Sequence, residues 1–197
     1  MPLDYYQQQA DAFYHNTVSV DMAPLYARFL PYLPAGGHII DAGCGSGRDS
    51  RYFANLGFEV SAFDASPALA KLAEQHTGLP IVVCRFEAFV TKTPADAIWA
   101  CASLLHVHRS ELVRTMAHLC NQLKAGGIFY CSFKYGHGEM VRDGRHFTNL
   151  DEATLSELIN ELPLSLIEHW QTGDLRPSRE QERWLNVLCE KQLIHEL

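Results

Sequence analysis

Short apolar runs alternate with helical patterns through most of the chain. Apolar runs of four to eight residues bounded by turn residues are consistent with buried strands, and apolar residues three or four apart indicate a helix with one buried face. The runs predict a strand that begins at His38 and further strands at 59–63, 81–84, 96–101 and 128–133. Helical patterns follow the first, second and fourth of these strands. This alternation predicts an α/β fold with a mostly parallel sheet.

Both ends of the chain depart from the alternation. Further elements are predicted there: helices at 3–15, 21–33 and 150–162, and strands at 164–171 and 183–191. Asp21 is the expected N-cap of the second helix, and a Thr148/Asp151 capping signal precedes the helix at 150–162. No helix separates the last two strands, so they are expected to pair as a hairpin. The final strand then runs antiparallel to the others.

The segment 134–147, after the fifth strand, is expected to be a flexible loop because it holds three glycines. Lys134, Arg142 and Arg145 make it locally basic in an otherwise acidic chain. It is expected beside the cleft at the carboxyl ends of the strands, where it would steer or bind an anion. The alternative is a solvated loop with long charged side chains.

A glycine turn follows the first strand and carries the strongest functional signal. Gly43, Gly45 and Gly47 alternate along it, and Asp41 stands two residues before the first glycine. A dinucleotide site has the spacing G-x-G-x-x-G, whereas this chain has G-x-G-x-G. A carboxylate beside the turn suits a cationic ligand and would repel a pyrophosphate. Asp64 ends the second strand, where an acid can accept both ribose hydroxyls.

The stretches DAGCGSG and VSAFDAS, which contain these residues, resemble the class I S-adenosylmethionine-dependent methyltransferases. The stretches around 97–107 and 132–136 resemble a small bacterial subset of methyltransferase type 11, type 12 or tellurite-resistance-like proteins. The resemblance implies a Rossmann-like seven-stranded sheet in the order 3-2-1-4-5-7-6, with the last strand antiparallel. It also implies one domain over 1–197, with a helical lid at 1–33, a cofactor-binding core at 38–135 and a substrate-side part at 136–197.

The resemblance further implies S-adenosylmethionine as cofactor and methyl transfer to a small acceptor. The cofactor-binding residues that follow from it are Tyr14, Asp41, Gly43, Cys44, Gly45, Gly47, Arg48, Asp64, Ala65, Ser66, Phe86, Glu87 and Ala102. The candidate acceptor-side residues are Tyr5, His106, Lys134, Tyr135, Arg142, Arg145 and Arg176. His106 is the general-base candidate, since its ordinary pKa suits proton transfer near neutral pH. Alternatively, His106 caps its loop or packs on the cofactor.

One departure narrows the chemistry. No Asn/Asp-Pro-Pro-Tyr tetrapeptide follows the fourth strand, and that tetrapeptide marks the family members that methylate amino groups of bases or glutamine side chains. Oxygen, sulfur, metalloid and other nitrogen acceptors stay open. A non-catalytic binding module and a nicotinamide-dependent oxidoreductase are the other two functions considered. The glycine spacing and Asp41 argue against the second.

Composition sets the remaining expectations. With 197 residues and a net charge of -7, the chain is long enough for one domain and too acidic for a broad nucleic-acid face. Its six cysteines form no CxxC pair and its ten histidines show no metal-ligand spacing, so no metal site is predicted. No apolar run reaches membrane-spanning length and no secretory signal is recognised, so a cytoplasmic protein with reduced cysteines is expected. The sequence leaves the oligomeric state open.

Overall fold

The computed structural model describes residues 2–176, 179 and 181–193. The ends of the predicted domain, residue 1 and residues 194–197, lie outside the described residues. The described helices are α1 Pro2–Gln8, α2 Ala10–Thr17, α3 Ala23–Phe29, α4 Arg48–Asn55, α5 Pro67–Thr77, α6 Arg109–Cys120 and α7 Glu152–Asn160. The described strands are β1 His38–Ala42, β2 Glu59–Asp64, β3 Ile81–Val83, β4 Ala95–Ala100, β5 Leu123–Lys134, β6 Glu139–Arg142, β7 Arg145–Thr148, β8 Leu164–Gly173 and β9 Arg183–Lys191.

Seven strands form one sheet in the order β3-β2-β1-β4-β5-β9-β8. The pairs from β3 to β5 are parallel, whereas β9 runs antiparallel to both β5 and β8. Strands β6 and β7 form a separate two-stranded sheet. When that inserted hairpin is left out of the count, the predicted order 3-2-1-4-5-7-6 and the antiparallel last strand are confirmed.

The hairpin corrects the prediction of a loop at 134–147. Strands β6 and β7 pair antiparallel, with Arg142 opposite Arg145. Asp143 and Gly144 form the turn between them, and both have positive φ, 53° and 72°. An Asp-Gly pair of this conformation is a strong signal for a two-residue hairpin turn. In the sequence, the charged residues around Asp143-Gly144 made this segment look like a solvated loop, so the hairpin turn was not predicted.

Helix boundaries differ from the predicted ones at both ends. The single helix expected at 3–15 is two helices, which break at Gln9, and the one expected at 21–33 starts at Ala23 and finishes as a 3₁₀ turn, Leu30–Tyr32. Asp21 still contributes, because its Oδ1 accepts the Ala23 N–H at 2.9 Å. Helix α7 is capped by Asp151 with Thr154, not by the predicted Thr148/Asp151 pair.

The core lies on both faces of the sheet. On one face Trp99 of β4 stacks on Tyr130 of β5, with ring centroids 4.0 Å apart, and Phe29 of α3 packs at 4.8 Å from Trp99. All three rings are fully buried, so α3 is part of the core and only α1 and α2 cover the strand ends. Among the helices that the structure describes, none combines the length and the apolar character that crossing a bilayer needs.

Candidate functional site

The turn between β1 and α4 is built for close approach of a ligand to backbone. Gly43 and Gly45 have φ of 75° and 55°, which L side chains rarely adopt. The N–H groups of Gly43 and Cys44 both donate to the Phe63 carbonyl at 3.0 Å, so the turn curls against β2. A Cβ on Gly43 would lie 2.7 Å from Cβ of Ser103. No side chain larger than hydrogen fits there.

Gly47, the third glycine, has a different role from the predicted one. A Cβ at this position would lie 2.8 Å from Cγ2 of Thr77 and 3.0 Å from Cβ of Ala73. Both residues belong to α5, so Gly47 lets α4 pack closely on α5. It does not line the two cavities described below. The prediction that Gly47 contacts the cofactor is therefore corrected to a packing role.

The side chain of Asp64, at the end of β2, is held in place by hydrogen bonds from backbone N–H groups. Its Oδ2 accepts the N–H of Gly45 at 2.9 Å, and its Oδ1 accepts the N–H of Ser66 at 2.8 Å. Burial raises the pKa of this carboxyl, an effect that the two hydrogen bonds oppose. Each carboxylate oxygen retains a second lone pair. Asp64 therefore presents two oriented acceptors to the cavity above β2.

That cavity, of about 470 Å³, is here named the Asp64 cavity. Its volume is in the range of sites for small molecules and cofactors. Seven predicted cofactor-binding residues line it besides Asp64: Gly43, Gly45, Ala65, Ser66, Phe86, Glu87 and Ala102. The structure thus brings together the ends of β2, β3 and β4, as the sequence order predicted.

A second cavity, of about 160 Å³, lies on the side of the inserted hairpin and is here named the Arg145 cavity. Predicted residues that line it are Cys44, Arg48, His106, Lys134, Arg142, Arg145 and Arg176. Six residues line both cavities: Tyr6, Phe13, Gly43, Gly45, Ala102 and His106. The two cavities therefore meet at the glycine turn and at the loop after β4.

Asp41 does not line either cavity, which corrects its predicted role beside the ligand. Its side chain is only 2% exposed and accepts a hydrogen bond from Oγ of Ser50. Burial, together with the negative charge of Asp49, raises the pKa of Asp41 to about 8. Near neutral pH this carboxyl is mostly protonated, so it supplies no anion to the turn.

Asp49 is the acid beside the glycine turn that lines the Arg145 cavity, and the sequence analysis missed it. It accepts from Nε of Arg48 at 2.7 Å, from Nε1 of Trp99 at 2.8 Å and from the Tyr26 hydroxyl. Burial raises the pKa of Asp49, but the charge of Arg48 and these hydrogen bonds outweigh burial and lower it. The sequence did carry a signal for Asp49, because it is an acid in the first turn of the helix that follows the glycines.

His106 lies between the two cavities, in a 3₁₀ turn, Leu104–His106, after β4. Its Nδ1 is 2.8 Å from the His146 carbonyl and its Nε2 is 2.7 Å from the Tyr6 hydroxyl. Because a carbonyl only accepts, the Nδ1 atom carries the proton and Nε2 accepts from Tyr6. Burial lowers the pKa of His106 to about 4, so the ring is neutral near pH 7. Tyr6 is a second site residue that the sequence analysis missed.

Most basic side chains of the Arg145 cavity have acidic partners. Lys134 contacts Glu182 at 2.5 Å, and Arg176 pairs with Asp174. Arg145 differs: its side chain is 12% exposed, and its Nη2 atom lies 3.6 Å from Oδ2 of Asp143. Its Nε atom is buried and makes no hydrogen bond within the described residues. Arg145 therefore lacks the short carboxylate contacts that Lys134 and Arg176 have.

Three predicted tyrosines do not line the cavities. Tyr14 contacts His76 of α5 at 3.3 Å, Tyr135 is 39% exposed and donates to Glu152, and the Tyr5 ring lies 4.3 Å from the Arg145 guanidinium. The α2 helix turns Phe13, not Tyr14, toward the glycine turn, where Phe13 contacts Gly45. The predicted direct contacts of Tyr14, Tyr135 and Tyr5 are corrected accordingly, and Tyr5 packs against both Arg145 and Tyr6.

A family model described as a methyltransferase domain matches residues 14–174. The chain belongs to this family. The resemblance seen in the sequence is thus confirmed. The structure of 1,6-didemethyltoxoflavin-N1-methyltransferase from Burkholderia thailandensis, solved with its substrate and S-adenosylhomocysteine, superposes with a TM-score of 0.77 at 22% identity, over 96% of this chain and 85% of that one. A TehB-like methyltransferase from Corynebacterium glutamicum gives 0.69 at 21% identity, over 96% and 95%. At these identities the likeness shows the shared fold.

Curated relatives match about half of this methyltransferase-family chain. The ubiquinone biosynthesis O-methyltransferase of Xanthomonas axonopodis pv. citri is 46% identical over 107 residues, which is 50% of this chain and 44% of that protein. The protein of the same name from Xylella fastidiosa is 34% identical over 106 residues, 50% of this chain and 42% of its own length. The match therefore spans less than half the length of those relatives.

Proposed function

We propose that this chain transfers the methyl group of S-adenosylmethionine to a small anionic acceptor. The observation that carries the proposal is the junction of the two cavities at Gly43, Gly45, Ala102 and His106. One cavity presents the oriented carboxylate of Asp64, and the other is lined by Arg145, whose carboxylate contact with Asp143 is 3.6 Å long. Two substrates held in these cavities meet at the glycine turn.

The Asp64 cavity fits the cofactor by chemistry and by shape. Asp64 would accept the two ribose hydroxyls, and Phe86 and Glu87 would contact the adenine. The methionine end would lie along the glycine turn, whose shape depends on Gly43 because a Cβ there would lie 2.7 Å from Cβ of Ser103. When bound, the cofactor supplies a methyl group on a positively charged sulfur.

The Arg145 cavity would hold the acceptor. Arg145 would hold the acceptor so that its nucleophilic atom lies in line with the carbon–sulfur bond of the methyl group that the cofactor would supply. Holding two reactants in line supplies about 7–11 kcal/mol of barrier lowering. Nε2 of His106, which now accepts from Tyr6, would take the proton that the acceptor loses. Because its pKa is about 4, His106 is a weak base near neutral pH, and its contribution would lie below the roughly 10²–10⁴-fold of a base matched to that pH.

Two further points complete the proposal. Helices α1 and α2 would act as the lid of a single domain, since Tyr6 and Phe13 line both cavities.

Oxygen is the acceptor atom to test first, because the curated relatives are named O-methyltransferases. An acidic hydroxyl would be both an anion for Arg145 and a nucleophile that needs little help from a base.

The decisive experiment is calorimetric titration with S-adenosylmethionine, S-adenosylhomocysteine and, for comparison, NAD. We expect micromolar binding of both adenosyl ligands, no binding of NAD, and a loss of about 100-fold or more in Asp64→Ala. Glu59→Ala is the matched control, because Glu59 is an exposed acid at the other end of the same strand. Folded wild-type protein that binds no adenosyl ligand would refute the proposed function.

The acceptor side is tested separately with Arg145→Gln in a methyl-transfer screen of phenols, carboxylic acids and thiols. We expect the KM for the acceptor to rise at least tenfold while affinity for the cofactor stays within about threefold. Arg114→Gln is the control, since Arg114 is exposed and pairs only with Glu111 among the described residues. Equal KM values in Arg145→Gln and wild type would reject the anionic acceptor but not the methyl transfer.

A further inference from the structure

The fold brings together two histidines and a glutamate that are far apart in sequence. His108 precedes α6, Glu139 begins β6, and His146 lies in β7. No short motif connects them, which is why ligand spacing in the sequence predicted no metal site. The inserted hairpin creates the cluster by placing both of its strands against the loop after β4.

The ligand atoms are close enough to share one ion. Nε2 of His146 is 3.1 Å from Oε1 of Glu139, and Nδ1 of His108 is 3.6 Å from the same oxygen. One ligand atom from each of the three residues lies within 4.8 Å of the other two. Tetrahedral zinc, with bonds of about 2.0–2.1 Å, separates its ligand atoms by about 3.3 Å. A small rotation of the exposed His108 ring closes the difference.

The cluster is supported as metal ligands usually are. The backbone N–H of Arg109 donates to Oε1 of Glu139 at 2.8 Å, and this bond orients the carboxylate. Thr148 donates to the Val107 carbonyl at 2.7 Å, which ties β7 to the loop that carries His108. Ligand groups fixed in this way by hydrogen bonds to outer residues are typical of metal centres.

The donor set favours a transition-metal cation at this point. The two imidazole rings face each other with centroids 3.9 Å apart, beside the Glu139 carboxylate. Two imidazoles and one carboxylate are a donor set for borderline transition metals and not for Mg²⁺, which prefers oxygen ligands.

We propose that His108, Glu139 and His146 bind a divalent transition-metal ion such as Zn²⁺ as a three-ligand site open to solvent. The His108 side chain is 67% exposed, which leaves the remaining coordination position to water. His108 also lines the Asp64 cavity, so the metal site borders the proposed cofactor site. Its test does not depend on the proposed function, because Zn²⁺ binding is measured without cofactor or acceptor.

The ion would cross-link the two strands of the inserted hairpin to the loop before α6. It joins β6, β7 and the residue before α6, and adds to the hydrogen bonds of Arg109 and Thr148 that link these segments. The His146 carbonyl accepts from Nδ1 of His106 at 2.8 Å, so a fixed β7 also fixes the His106 ring. Metal binding would therefore order one wall of the Arg145 cavity, which Arg145 and Phe147 of β7 line.

The test is a Zn²⁺ titration of tag-free protein in competition with a chromophoric chelator, with Mg²⁺ as a second probe. We expect one Zn²⁺ per chain, no Mg²⁺ binding, and at least tenfold weaker Zn²⁺ binding in His108→Ala and in Glu139→Gln. The matched controls are His137→Ala, an exposed histidine that contacts Asp151, and Glu111→Gln, an exposed acid on α6. These two should bind as the wild type does.

Six cysteines are the competing ligands for zinc, so the ligand type is read from Co²⁺-substituted protein. Nitrogen and oxygen ligands give visible d–d bands without thiolate-to-metal charge transfer. Amide exchange of β6 and β7 should slow on adding Zn²⁺ in the wild type but not in His108→Ala, whose exposed side chain makes an unfolded variant unexpected. A charge-transfer band, binding that survives both ligand variants, or no wild-type binding at 100 µM Zn²⁺ (roughly 5 kcal/mol) would overturn the proposal.

Discussion

The Tyr6 hydroxyl lies 2.7 Å from Nε2 of His106, and the two rings meet edge to face with centroids 5.4 Å apart. This bond ties α1 to the turn after β4. Burial raises the pKa of Tyr6, an effect that the nearby Arg145 opposes, so the phenol stays protonated and donates. At the junction of the two cavities this bond holds α1, while Gln7 of the same helix accepts hydrogen bonds from Ser66 and Ala68.

Tyr6→Phe should loosen the N-terminal helices. A hydrogen bond of this kind contributes about 1–1.5 kcal/mol, which corresponds to roughly tenfold in the opening equilibrium. We expect amide exchange in α1 to accelerate about tenfold while the central strands exchange as in the wild type. Tyr135→Phe is the control, because Tyr135 also donates to a side chain but lies on the exposed surface. Unchanged exchange in Tyr6→Phe would show that the other contacts of α1 are enough to hold it.

Asp49→Asn should be strongly destabilising. The variant removes the charge that neutralises Arg48 while leaving the guanidinium buried. Breaking one member of a buried ion pair costs about 3–5 kcal/mol, so the free energy of unfolding from urea titration should fall by that amount. Asp143→Asn, an exposed acid at a turn, should change it by less than about 0.5 kcal/mol. A cost below about 1 kcal/mol for Asp49→Asn would mean that water replaces the lost contacts.

The main sheet was predictable because its signals are local. Each parallel strand is a short apolar run, and the glycine turn and Asp64 stand at strand ends, where side chains of an α/β sheet converge. The sheet order came from the resemblance, since no local pattern specifies which strand lies beside which. The hairpin β6–β7 was predictable in principle from Asp143-Gly144, but its strands carry charged residues that do not alternate with apolar ones.

The candidate site was less predictable than the sheet, because the direction in which a side chain points depends on tertiary structure. Asp41 and Asp49 are both acids close to the glycine turn, yet β1 directs Asp41 into the protein and α4 directs Asp49 to the Arg145 cavity. In the same way, a rotation of α2 decides between Phe13 and Tyr14. The hydrogen-bond partners of His106 are the Tyr6 hydroxyl and the His146 carbonyl. They are 100 and 40 residues away along the chain, farther than a sequence motif spans.

Gly43→Ala should abolish cofactor binding. Besides the unfavourable φ of 75°, the added Cβ would lie 2.7 Å from Cβ of Ser103, so the turn must move. Gly57→Ala is a matched control: its φ is 87°, and its Cβ would meet nothing within 4 Å. Both variants carry about 1–2 kcal/mol of backbone strain, but only Gly43→Ala should weaken S-adenosylhomocysteine binding, by at least tenfold in calorimetry. Equal weakening in both would attribute the effect to stability alone.

Asp41→Asn should change how stability depends on pH. The carboxyl has a pKa of about 8 in the folded protein and about 3.9 in an unfolded chain. Because the folded value is the higher one, the folded state binds the proton more tightly, and this contribution is complete below about pH 3.9. It is lost as pH rises toward 8. The wild type should therefore lose stability relative to Asp41→Asn across that window, with no further change above about pH 8.

The measurement is the free energy of unfolding of both proteins at several pH values between about 5 and 9. Asparagine keeps an oxygen that can accept from Ser50, so the comparison isolates the ionisation. Ser50→Ala supplies a second check, because the Ser50 hydrogen bond lowers the pKa of Asp41; removing it should extend the window to higher pH. A difference between wild type and Asp41→Asn that stays constant from pH 5 to 8, or that grows in favour of the wild type, would show that Asp41 is ionised in the folded protein. In that case the carboxylate, not the neutral acid, lies beneath the glycine turn.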